Sequence, residues 1–105
     1  MIDKRIEFDE RYDDAEEGMT TLYFTAPKEM LDGDYPEAVC MEISIELPTD
    51  DMEARYASVE FSPTRYLGED DGYEDYDWYG VAMPYEEIEE LIDLARNSGR
   101  FRSIY

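Results

Sequence analysis

The chain has 105 residues, 43% hydrophobic and 14% aromatic, enough to bury one core but not two. Asp and Glu number 29 against 9 Lys and Arg, a formal net charge of -20, which opposes binding to nucleic acid or an anionic membrane and favours a basic partner. No histidine and one cysteine, Cys40, exclude imidazole catalysis, a His-ligated metal centre and an internal disulfide.

The opening "MIDKRIEFDE" is charged where a signal peptide is apolar, and no run approaches the roughly 18 apolar residues of a membrane span. The expectation is one domain over 1–105, cytoplasmic. In "IDKRIEF", Ile2, Ile6 and Phe8 alternate with Asp3, Arg5 and Glu7, which predicts a first strand. "DDAEEG" turns the chain into "TLYFTA", where Leu22, Phe24 and Ala26 oppose Tyr23 and Thr25. Pro27 opens one helical turn in "PKEML", and "DGDYP" breaks it. "VCMEISIEL" is the clearest strand: Val39, Met41, Ile43, Ile45 and Leu47 face the core, and Cys40, Glu42, Ser44 and Glu46 face away. "PTDD" predicts a hairpin into "RYASVEF", with Ala57, Val59 and Phe61 inside. A fifth strand is expected from Asp75 to Met83. Pro84 then starts a helix that Gly99 stops, with an apolar stripe at Ile88, Leu91, Ile92 and Ala95. The tail "RFRSIY" either adds a strand or packs Phe101 under the helix end. These elements predict an α+β fold: an antiparallel meandering sheet of four to five strands with one C-terminal helix on one face. The other sheet face, carrying Glu42, Glu46, Tyr56 and Glu60, is left open.

The stretch "EDDGYEDYDWYG", Glu69 to Gly80, crowds six acids among four rings and holds no base. A disordered acidic tail would lack such rings, so the composition points to a folded surface that a partner touches. An EF-hand loop needs acids at its first, third and fifth positions and Gly at the sixth. Counting back from Gly72 and Gly33 reaches Leu67 and Lys28, so the pattern fails. There is no phosphate-binding glycine loop. Carboxylates are too abundant for any two to mark a catalytic pair, although Trp78 beside Asp75 and Asp77 has the look of a sugar platform. Neither cofactor nor metal is expected, and no enzymatic activity.

The remaining reading is mimicry of nucleic acid. In composition the chain resembles the small acidic decoys that phages and mobile elements use against restriction enzymes and CRISPR nucleases. That resemblance is one of physical type and carries no site residues across. The residues themselves predict a partner-binding surface of Glu69, Asp70, Asp71, Tyr73, Glu74, Asp75, Tyr76 and Asp77, joined by Glu42, Glu46 and Glu60. The expected partner is a basic nucleic-acid-binding protein such as a defence nuclease, bound by a monomer or homodimer. The alternatives are an immunity protein or antitoxin that caps a basic toxin, a salt-adapted surface, or acidity that only confers solubility.

Overall fold

Alternating apolar and polar residues build six antiparallel strands in the computed structural model, which describes residues 1–102. They are β1 (Glu7–Asp14), β2 (Met19–Ala26), β3 (Ala38–Pro48), β4 (Ser58–Gly68), β5 (Gly72–Asp75) and β6 (Tyr79–Val81). The helix α1 (Tyr85–Asn97) comes after them, completing an α+β fold. The strands run in the order β1-β2-β3-β4, and β5 and β6 share the far edge of β4. One sheet face meets the helix: Phe8, Leu22, Phe24, Met41, Ile43, Ile45, Leu47, Val59 and Phe61 pack in one cluster with Ile88, Leu91, Ile92 and Ala95. Glu86 and Glu87 complement the positive helix end, Pro84 precedes it, and Gly99 at φ 78° ends it in the left-handed region.

Several local readings change. The first strand begins at Glu7 rather than Ile2, because Asp3 accepts the Arg5 backbone N–H at 2.8 Å and turns the chain there. Val39 points outward, 52% exposed: it is the extra residue of a β-bulge between Ala38 and Cys40, so Ala38 fills the core in its place. The link from β3 to β4 spans 49–57 with a 3-10 turn at Ala54–Tyr56, rather than a tight "PTDD" hairpin. Tyr56 therefore lies in that turn and not on a strand of the open face. Phe101 packs against the core beneath the Arg11 guanidinium, 4.7 Å from its ring centre. The rest of the tail, 103–105, lies outside the described residues.

The fifth strand is broken in two, and the cause is Pro63. In a strand the N–H and C=O of one residue point to the same neighbour. The Pro63 carbonyl accepts from the Tyr76 N–H at 3.0 Å, so the side that lacks a donor also faces Tyr76. The Ser62 hydroxyl replaces it, donating to the Tyr76 carbonyl at 2.6 Å. The pairing then slips by one residue, from Thr64↔Asp75 to Phe61↔Tyr79, with Asp77 at φ 58° inside the bulge. Ser62 is fully buried. Ser62→Ala should therefore cost about 1–3 kcal/mol by leaving that carbonyl without a donor, whereas Ser58→Ala, exposed on the same strand, should stay within about 0.5 kcal/mol. Urea denaturation of the two variants compares them directly.

Candidate acidic sheet face

Strand register fixes which side chains share the face away from the helix. Across the sheet they form rows: Tyr12, Thr21, Glu46, Ser58; then Glu10, Tyr23, Ser44, Glu60, Gly80; then Glu7, Thr25, Glu42, Ser62; then Cys40, Thr64, Asp75. A bulge at Asp9 keeps that carboxylate on the same face, where it accepts from the Thr25 hydroxyl at 2.5 Å. Tyr66 and Tyr73 close the hairpin end with ring centres 5.1 Å apart. No position in these rows is lysine or arginine.

The bases sit elsewhere. Arg11 is on the helix side, paired with Asp13 at 2.9 Å. Arg65 is on the helix side of β4, Arg55 pairs with Glu53 in the 3-10 turn, and Arg5 pairs with Asp3 near the N-terminus. The Arg5 guanidinium pulls the Asp3 carboxyl down to about 2. Arg100 donates to the Phe8 carbonyl.

The predicted surface residues therefore divide. Glu42, Glu46, Glu60, Tyr73 and Asp75 share the open face. Glu69, Asp70 and Asp71 are exposed at the β4–β5 turn. Glu74 points to the opposite face, where Arg65 holds it at 2.7 Å, holds Glu37 at 3.2 Å and stacks 4.8 Å from the Tyr76 ring centre. Tyr76 meets Tyr35 edge-on at 6.1 Å, and the Tyr35 hydroxyl donates to Asp77 at 2.9 Å. That bond raises the Tyr35 phenol pKa. Glu74, Tyr76 and Asp77 thus belong to a side-chain network that fixes the bulge.

Sequence reasoning did not assign Asp9, Glu10, Tyr23 or Trp78 to this surface. The outward phase of "TLYFTA" already contained Tyr23, but the β1 bulge hid the phase of Asp9 and Glu10. Trp78, 38% exposed, lines a hollow of about 430 Å³ with Thr21, Tyr23, Ser44, Glu46 and Glu60.

Glu42 on β3 and Asp75 on β5 interact across β4. Burial, then the Asp75 charge and a hydrogen bond shared with it, push Glu42 up to about 8, with Asp9 and Glu10 adding to the field. At neutral pH Glu42 therefore keeps its proton. The Thr64 hydroxyl donates to Asp75 at 2.6 Å. Burial, with Asp75, Glu42 and Asp9, raises the Cys40 thiol against the lowering effect of a Thr64 hydrogen bond, so it stays protonated and poorly nucleophilic. Among the described residues no cluster of acids and cysteine has the geometry to hold a metal ion. No helix there is long and apolar enough to cross a membrane.

The chain matches no family model, no curated protein and no solved structure.

Glu42 holds its proton more tightly in the fold than in the unfolded chain, where a glutamate titrates near 4.5. Its stabilising contribution is thus whole below about pH 4.5 and is lost as pH rises to about 8. Glu42→Gln, which keeps a donor for Asp75, should flatten that decline. Thermal melts between about pH 5 and 9 read it. A melting temperature that climbs across the window in the wild-type protein contradicts the assignment.

Proposed function

We propose that the chain is a non-enzymatic acidic decoy: it binds a basic nucleic-acid-binding protein and occupies the groove meant for DNA. The supporting observation is the open sheet face, whose rows hold carboxylates and aromatic rings without a single base. Anionic groups on such a face steer a cationic groove in, and the rings supply contact area once it arrives. Glu46 and Glu60 stand on neighbouring strands as a diagonal pair, about 7–8 Å apart at the backbone, while Glu42 beside them holds its proton at neutral pH and adds no charge. The molecule extends 38 × 30 × 24 Å. Duplex DNA of the longest of these lengths would carry about 22 phosphate charges, close to the formal -20 here, which is spread over the whole surface. The target class that fits is a defence nuclease of the restriction or CRISPR type, met in the cytoplasm.

The test is binding to a panel of captured basic nucleases, with and without duplex DNA. The decoy should compete with DNA for one groove. The triple variant Glu46→Gln, Glu60→Gln, Asp75→Asn should slow association and flatten its salt dependence. Glu42→Gln should change little at neutral pH, because Glu42 is already protonated there. Simultaneous, unhindered binding of DNA and this protein to the target contradicts the proposal. Tight, selective capture of one toxin, with no weak affinity for other DNA-binding proteins, supports an immunity protein in its place.

A further inference from the structure

In the hollow bounded by Trp78, Tyr23, Glu46 and Glu60 on the open face, two carboxylates and two rings converge on shared space. Glu60 lies opposite Ser44 and Glu46 opposite Ser58, so the two acids are a diagonal cross-strand pair, about 7–8 Å apart at the backbone. Two flexible acid arms at that spacing close readily on the two edges of one planar guanidinium. Gly80, opposite Glu60, leaves the neighbouring strand position without a side chain; a Cβ there would meet nothing within 4 Å.

A ring and one or two acids hold a guanidinium elsewhere in the chain, as Phe101 and Asp13 do for Arg11. Arg65 lies 4.8 Å from the Tyr76 ring centre between Glu74 and Glu37. Arg55 lies 4.7 Å from the Tyr56 ring centre and 2.8 Å from Glu53. In the hollow the acids and rings are present, and among the described residues no arginine or lysine pairs with Glu46 or Glu60.

We infer that this hollow is an arginine slot, which takes one guanidinium of the basic partner, stacked on Trp78 and forked between Glu46 and Glu60. The inference rests on the reading of this face as the surface that meets a basic protein. Arginine fits better than lysine: its planar fork meets two carboxylates at once, it stacks on an indole, and it gives up hydration more easily than an ammonium.

Trp78 is the single tryptophan, so its fluorescence reports the slot directly. The probes are an oligoarginine and an oligolysine peptide of equal length, titrated at low salt. Oligoarginine should bind about fivefold more tightly and change the Trp78 emission. The double variant Glu46→Gln, Glu60→Gln should lose that preference. So should Gly80→Leu, which narrows the slot without altering charge. Equal affinity for both peptides with Trp78 emission unchanged overturns the slot, yet leaves the acidic docking face standing. If neither peptide binds, both the slot and the docking face are overturned.

Discussion

A missing backbone donor at Pro63 sets the geometry of the far edge of the sheet. Because Pro63 offers its neighbour a carbonyl and no N–H, the chain opposite cannot run through as one strand. The Ser62 hydroxyl repairs the loss, and one inserted residue absorbs the mismatch. The period of two turns that slip into an exchange of faces. With the unshifted β5 register Trp78 would fall opposite Phe61, on the core face, and Tyr79 opposite Glu60, in solvent. The slip swaps them. Tyr79 packs against Phe61 at 6.1 Å and accepts the Asp32 N–H at 2.8 Å, while Trp78 turns onto the open face. The hollow beside Glu46 and Glu60 therefore exists because of a proline three residues along β4 from Glu60.

Charge is managed by position more than by pairing strength. Exposed ion pairs stabilise little because water screens them, so the pairs of Arg5, Arg55 and Arg65 do not offset a charge of -20 energetically. They do decide where charge is left over. Each of those arginines is engaged in a turn, on the helix side or at a chain end, and the open face keeps its acids. Where Glu42 is crowded by Asp75, Asp9 and Glu10, a proton relieves it. Burial alone would raise Glu42; the neighbouring carboxylate makes the proton a bridge between β3 and β5.

Helix α1 and the phases of β2 and β3 were legible because long, regular alternation and a four-residue apolar stripe leave little freedom. Ile43, Ile45, Leu47 and Leu91 could be placed by counting. The features that escaped depend on single-residue insertions. The bulges at Asp9, Val39 and Asp77 each reverse the phase of the strand residues beyond them, and none has a glycine to announce it. Pro63 lies just beyond "RYASVEF", and a proline inside a central strand runs against the usual pattern. Only the Ser62 hydroxyl, positioned by the fold, makes β4 continuous through it. The hairpin "EDDGYEDYDWYG" read as one uniform surface because composition carries no information on which face each residue takes.

The structure separates that stretch into parts with different physical work. Tyr73 pairs with Tyr66 over the hairpin and gives β5, only four residues long, a cross-strand contact on the open side. Tyr76 and Asp77 are tied to Tyr35, and Glu74 to Arg65, on the opposite side. These contacts clamp a left-handed, acid-rich bulge that electrostatics alone would open. Asp75 and Trp78 flank the clamp and are delivered to the open face. The rings thus answer the cost of crowding carboxylates: some hold the backbone against repulsion. Because they do, the remaining acids and Trp78 stay fixed in position, and a fixed anionic face can select a partner by geometry as well as by charge.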